Sequence, residues 1–149
     1  MAKAEILGLA LMPLACGFAL WRGGGPERRA AVAIGAAWIG SMLVDVDGWR
    51  GVQWGIMAVD MVLLAYLAAL TVGSRRTWLL FATAFQLLIV ATHFAFVFDP
   101  AVGNLGFFSA YYLWSWLELG CLVWGAAVAP RPARTGTRDG DAGPAALEG

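Results

Sequence analysis

Long runs of apolar residues alternate with short polar breaks along most of the chain. Five such runs cover about residues 5–21, 30–46, 52–72, 77–98 and 105–129. Each run is close to the roughly 17 to 25 residues that an α-helix needs to cross the hydrocarbon core of a bilayer. The pattern therefore predicts an all-α fold, an integral membrane bundle of five transmembrane helices that forms one domain over residues 1–129.

The end of the chain, residues 130–149, has a different character. It is rich in proline, glycine, alanine and charged residues, and such a segment cannot bury enough apolar surface to fold alone. We predict a disordered tail. The chain as a whole is 60% hydrophobic and only 13% charged, with a mean hydropathy of +0.71, whereas about a quarter of the residues in a soluble domain are charged.

Positive charge is distributed on one side of the predicted membrane. Eight of the ten Lys and Arg residues lie in alternate breaks or in the tail: Arg22, Arg28, Arg29, Arg75, Arg76, Arg131, Arg134 and Arg138. Lys3 and Arg50 are the exceptions. Because cytoplasmic loops carry the excess of Lys and Arg, we predict a bacterial-type inner-membrane protein with its N-terminus outside and its tail in the cytoplasm.

The two cysteines, Cys16 and Cys121, fall inside apolar runs and are interpreted as small buried hydrophobic residues. The segment around Cys16 also has some likeness to a lipid-attachment box, which would make the first run a cleaved export signal. Cleavage would leave Arg22 and Arg28 outside, against the charge pattern. A retained first helix is therefore the favoured interpretation.

Stripes of small residues indicate what the helices pack against. Two stripes with a spacing of four residues are Ala33, Ala37 and Ser41, and Ala65, Ala69 and Gly73. Small residues let helix backbones approach closely within a membrane. The expected partners are therefore the lipid bilayer, together with other membrane proteins or a second copy of the chain. Nucleic acid is not expected, because no basic patch is interleaved with aromatic residues.

Four polar side chains interrupt the last three runs: Asp60, Gln86, His93 and Glu118. Polar groups at membrane depth cost several kcal/mol, so they usually face the bundle interior and find partners there. Counted from the outer boundary at 1.5 Å per residue, Asp60 lies about 12 Å deep and His93 about 8 Å. Gln86 and Glu118 both lie about 18 Å deep. The depths predict two contacts, one between Asp60 and His93 and one between Gln86 and Glu118.

Helical spacing places further polar groups on the same faces. These candidate lining residues are Gln53, Tyr111, Ser115, Ser41 and Asp45. Gln53 precedes Asp60 by seven residues, and Ser41 precedes Asp45 by four, so each pair shares one face of a helix. We expect the polar stripes of four helices to converge in the outer half of the bundle.

The predicted polar cluster allows more than one role. An aspartate beside a lone histidine fixes the tautomer of the ring, which suits a proton relay or a pH-sensitive gate. The same contact also suits a purely structural role, in which it holds two helices in register. No metal or cofactor is predicted, because no Cys or His pair has ligand spacing. The single histidine excludes a bis-histidine haem and leaves a singly ligated one open.

The stretch QLLIVATHFAFVFDP at residues 86–100, together with residues 54–60, resembles segments of small, uncharacterised multi-span proteins of the bacterial inner membrane. The resemblance covers about the last three runs. It implies a location in the inner membrane and carries no activity or functional residue with it.

Three hypotheses for the function remain at this stage. The first is a non-enzymatic structural or accessory protein that packs with other membrane subunits or with itself. The second is a small transporter or proton-conducting protein that uses Asp60, His93 and Glu118. The third is a membrane-embedded enzyme, which the sequence favours least because no Gly-x-Ser-x-Gly turn frames a serine and no catalytic residue can be named.

Overall fold

The computed structural model describes residues 2–44, 53–99 and 103–130, with the side chains of 7–44, 53–99 and 105–130. The described residues form five α-helices and no strand. The helices are α1 (Ala2–Arg22), α2 (Gly25–Val44), α3 (Trp54–Ser74), α4 (Thr77–Phe98) and α5 (Gly103–Val128). The prediction of an all-α fold is confirmed. Asp45 and the predicted tail from residue 131 onward lie outside the described residues.

The five helices form a closed ring. Each helix packs against the next along the chain, α5 packs against α1, and α2 also touches α5 across the ring. Only Gly23 and Gly24 separate α1 from α2, and only Arg75 and Arg76 separate α3 from α4. Because such short connections join antiparallel neighbours, the chain passes up and down around the ring.

The turn between α3 and α4 reverses the chain within two residues. Arg75 ends α3 in the left-handed region, with a φ of 50°, and its backbone N–H donates to the carbonyl oxygen of Thr71 at 3.0 Å. Arg76 is extended and precedes α4. The hydroxyl groups of Thr71 and Thr83 lie 2.8 Å apart and tie the two helices together one turn away from the loop.

The second helix begins five residues before the second apolar run. Pro26 suits the first turn of a helix because its missing N–H would have had no partner there. Glu27 suits the same turn because a carboxylate stabilises the positive end of the helix, and it accepts a hydrogen bond of 3.0 Å from the backbone N–H of Gly24. The first turn of α2 is polar, so a prediction based on apolar runs places the start of the helix about five residues too late.

Several polar residues lie inside the ring beside its apolar core, and many large apolar residues lie on its outside. The buried polar side chains of the described residues are Glu27, Gln53, Asp60, Gln86, His93, Ser115 and Glu118. By contrast, Leu43, Val72 and Phe98 are 79%, 80% and 82% exposed. Buried acidic side chains of this kind are rare in water-soluble proteins.

Two of the described helices, α3 and α4, are long and apolar enough to cross a bilayer. The other helices contain more polar residues: α2 begins with charged residues, and α1 has a shorter apolar stretch that starts at Leu7. Cys16 and Cys121 are both buried and unpaired, as the sequence predicts.

Candidate binding site inside the helix ring

Asp60 of α3 is the centre of a buried hydrogen-bond network with α4. Its Oδ2 lies 2.9 Å from Nε2 of His93, so the contact that the matched depths predict is present. Its Oδ1 and its backbone oxygen both accept from the side-chain amide of Gln86, at 3.2 Å and 3.0 Å. All three side chains are buried. The network therefore fixes the register of α3 against α4.

The predicted pairing of Gln86 with Glu118 is wrong. The amide of Gln86 donates to Asp60 instead, and both of its acceptors are oxygens, which fixes the orientation of the amide group. The amide oxygen Oε1 of Gln86 therefore points away from Asp60. A glutamine side chain is long enough to reach a group one helical turn from its own level, and Gln86 uses this reach to extend towards α3.

The ring of His93 is held by aromatic residues of α5. It meets Phe107 and Tyr111 edge to face, with ring centroids 5.3 Å and 5.5 Å apart. The phenol of Tyr111 also lies within hydrogen-bonding reach of Asp60. Edge-to-face contacts of this kind add to the effect of burial. The imidazole is consequently fixed from two sides, by a carboxylate and by an aromatic wall.

The network borders a cavity of about 300 Å³. All five helices contribute to its wall. The lining residues are Leu9, Ala37, Trp38, Ser41, Met42, Asp60, Leu63, Gln86, Ile89, Tyr111, Tyr112, Ser115 and Glu118. This volume is at the lower end of the range for small-molecule sites. At about 30 Å³ per water molecule, it has room for about ten waters.

Two buried oxygens in this wall have no hydrogen-bond partner among the described residues. They are Oε1 of Gln86 and Oε1 of Glu118. The two side chains are only 0% and 2% exposed. Because an unpaired buried polar atom costs about 1–3 kcal/mol, a hydrogen-bond donor in the cavity, water included, would stabilise these two side chains.

The structure brings most of the predicted lining residues together. Ser41, Tyr111 and Ser115 line the cavity with the central groups, and the hydroxyl of Ser115 also donates to the backbone oxygen of Tyr111 at 2.8 Å. Gln53 does not reach the cavity. It precedes α3, is buried, and its Nε2 has no partner among the described residues. Asp45 lies outside the described part of the chain.

Sequence patterns missed two aromatic lining residues, Trp38 and Tyr112. Trp38 precedes Ser41 by three residues, so the two share a helix face, and this spacing is the signal that could have found it. The indole packs on the backbone of α1 at Gly8, where a Cβ would lie 3.0 Å from the ring. Tyr112 neighbours Tyr111 in sequence and gives no comparable signal.

A third buried carboxylate, Glu27, lies at the opposite end of the ring. Its Oε1 accepts from the indole nitrogen of Trp78 at 3.0 Å, and its Oε2 accepts from the backbone N–H of Gly24 at 3.0 Å. Both oxygens are therefore partnered, unlike Oε1 of Glu118. A glutamate in the first turn after a Gly-Pro break is typical of a helix start, and that signal could have identified it.

Among the described residues, no three His, Cys, Asp or Glu side chains lie close enough together to hold a metal ion. The polar groups of the cavity wall are its carboxyl groups, the amide of Gln86 and its hydroxyl groups. These groups can accept and donate hydrogen bonds and carry protons.

Comparisons of the chain with protein-family models, with curated proteins and with solved structures find no match. The candidate function consequently follows from the cavity and the groups that line it.

Proposed function

We propose that the chain is a five-span protein of a bacterial-type inner membrane. The support is the distribution of polarity, in which the ring buries carboxylates and exposes large apolar side chains such as Leu43 and Val72. Water-soluble monomers rarely expose large continuous apolar patches, whereas lipid is a suitable solvent for such a surface. The two apolar helices α3 and α4 and the resemblance to small inner-membrane proteins agree with this proposal.

We also propose that the N-terminus is outside and the C-terminus is cytoplasmic. The end of α1 meets the end of α5, because Arg22 donates to the carbonyl oxygen of Ala127 at 3.1 Å. The starts of α2 and α4 meet through Glu27 and Trp78. Arginines of the first and third breaks therefore lie at one end of the ring, which the positive-inside rule assigns to the cytoplasm.

The function that the site supports best is the binding and transport of a small molecule, with protons as co-substrate. The observation that carries this proposal is the cavity with two unpartnered buried oxygens, on Gln86 and Glu118. Asp60 joins the cavity to His93. A carboxylate and an imidazole in contact can exchange a proton, and buried ionisable groups in membrane helices are typical of transport pathways.

Proton movement can be tested in sealed vesicles. The purified protein is reconstituted, a pH gradient is imposed, and its decay is followed with a trapped pH-sensitive dye. We expect decay faster than in protein-free vesicles, and we expect Asp60→Asn and His93→Ala to abolish the difference. Glu27→Gln is the matched control, since it changes a buried carboxylate far from the cavity. Flux that is indifferent to Asp60→Asn and His93→Ala would count against proton transport.

A structural or accessory role is the second candidate, and one observation favours it. Ala65, Ala69 and Gly73 of α3 form an exposed stripe on the outside of the ring. In lipid, such a stripe lets a helix of another chain approach closely. Purification in mild detergent should then give a defined oligomer or a stable complex, and Ala69→Trp should dissociate it. A monomer that is unaffected by Ala69→Trp would exclude this role for the stripe.

A further inference from the structure

The chemistry of the cavity wall narrows the class of ligand, if the proposed binding function holds. Gln86 and Glu118 both line the cavity, and Oε1 of each is a buried acceptor without a partner among the described residues. The amide nitrogen of Gln86 is already used by Asp60. A ligand with a donor group therefore suits this part of the cavity.

The charge of the wall points in the same direction. Asp60 and Glu118 both line the cavity, and no Lys or Arg is among its described lining residues. His93 is not among the described lining residues, and its hydrogen bond is to Asp60. A cationic donor would therefore meet two acidic side chains, Asp60 and Glu118, and no basic one among the described lining residues. The free-energy cost of taking a cation out of water is offset only where an acidic partner lies beside its binding position.

The remainder of the wall is apolar and aromatic. Leu9, Leu63 and Ile89 supply aliphatic surface, and Trp38 and Tyr112 supply ring faces. Aromatic faces attract ammonium groups and also pack against apolar ligand bodies. A ligand that fills the cavity would thus have one polar end and one apolar body.

The apolar side of the cavity reaches the perimeter of the ring. Leu9 of α1 and Met42 of α2 both line it, and each is about half exposed. In a bilayer this side would face lipid. A molecule with an apolar body could then enter sideways from the membrane between α1 and α2.

We propose that the cavity binds a small lipophilic amine, with its ammonium group beside the side chains of Glu118 and Gln86 and its apolar body against Trp38. If each non-hydrogen atom of a ligand takes about the volume of one water molecule, the cavity has room for a ligand of about ten such atoms. Phenethylamine has this size and this polarity and serves as the probe.

Binding is measured by equilibrium dialysis of labelled phenethylamine against the full chain in phosphatidylcholine nanodiscs, with empty nanodiscs subtracted. Two competitors of similar shape separate charge from shape: phenethyl alcohol is neutral, and hydrocinnamate is an anion. We expect phenethylamine to bind at least about tenfold more tightly than either, since a hydrogen bond to a charged group contributes roughly that factor or more. Phenyltrimethylammonium, a cation without a donor, should also compete less well.

Variants test the position of the amine. Glu118→Gln and Gln86→Leu should each weaken phenethylamine binding by about tenfold or more, and neither should weaken phenethyl alcohol binding to the same extent. Glu27→Gln is the matched control, because its carboxylate is buried but fully partnered, and it should bind like the unchanged protein. If Glu118→Gln does not fold, Gln86→Leu and the order of the probes on the unchanged protein still decide the matter.

Equal affinity for phenethylamine, phenethyl alcohol and hydrocinnamate would overturn the proposal that the ligand is an amine. The proposal that the cavity binds small molecules would then still hold. Binding of phenethylamine that is indifferent to both Glu118→Gln and Gln86→Leu would place the amine elsewhere and also overturn the proposal. No binding of any probe would reject the amine, while the vesicle assay above would still decide whether the protein carries protons.

Discussion

The indole nitrogen of Trp78 donates a hydrogen bond of 3.0 Å to Oε1 of Glu27, across 51 residues of sequence. Both residues are buried, and the second carboxylate oxygen accepts from the backbone of Gly24. One glutamate thus caps α2 and holds the start of α4 against it. The contact lies at the arginine-rich end of the ring, far from the cavity.

Removal of this carboxylate should destabilise the protein without affecting ligand binding. Glu27→Ala leaves two donors without partners, the indole of Trp78 and the N–H of Gly24, and each costs about 1–3 kcal/mol. We expect a lower Tm in thermal unfolding of the solubilised protein. Glu27→Gln keeps an acceptor oxygen and should lose less. Equal Tm values for Glu27→Ala and the unchanged protein would show that the contact contributes nothing.

A glycine in α5 makes room for the same indole. A Cβ on Gly125 would overlap the ring of Trp78, which its hydrogen bond to Glu27 holds in place. Gly125→Ala should therefore cost about 1–3 kcal/mol, as overpacking usually does. Gly120→Ala on the same helix meets nothing within 4 Å and should be neutral or slightly stabilising. If both variants unfold at the same temperature, the close packing of Trp78 on α5 is incorrect.

The contact between Asp60 and His93 should behave as a coupled pair. Asp60→Leu removes the carboxylate that His93 and Gln86 contact and leaves Gln86 only the backbone oxygen of residue 60. His93→Leu removes one hydrogen bond to that carboxylate. Removal of one member of a buried pair can cost about 3–5 kcal/mol. The double variant should lose less than the two single losses combined, because it leaves no charge without its partner. Strict additivity in the unfolding free energies would argue that the two residues do not interact.

Single cysteines can test the membrane topology. In a background of Cys16→Ala and Cys121→Ala, we expect Gly25→Cys and Thr77→Cys to react with an impermeant maleimide only from the cytoplasmic side. Both positions are exposed, and neither change removes an arginine. Trp54→Cys at the start of α3 should react only from outside. Gly25→Cys and Thr77→Cys labelled from opposite sides would contradict the five-span arrangement.

Part of the site follows from sequence. Asp60 and His93 both lie near the ends of their apolar runs, where a count of residues gives depth with little accumulated error. Helical spacing also places Ser115 and Tyr111 correctly on the cavity face of α5. These successes share one cause, which is that position along a helix axis and around it is fixed by residue number.

Other parts depend on information that residue number does not contain. Depth alone gave Gln86 the partner Glu118, but the direction of a long side chain depends on which neighbouring group is free to accept. The cavity is a property of five helices at once, so no single run predicts it. Glu27 lies before the second apolar run, in a polar segment whose glycines and proline predict a loop.

The closure of the ring by α5 has a consequence for synthesis. This helix packs against α4, α1 and α2 and supplies Tyr111, Ser115 and Glu118 to the cavity wall. Because a chain emerges from the ribosome with its N-terminus first, these groups arrive after the other four helices have been made. A nascent chain that stops before α5 lacks one wall of the cavity, so the cavity is complete only once α5 has been made.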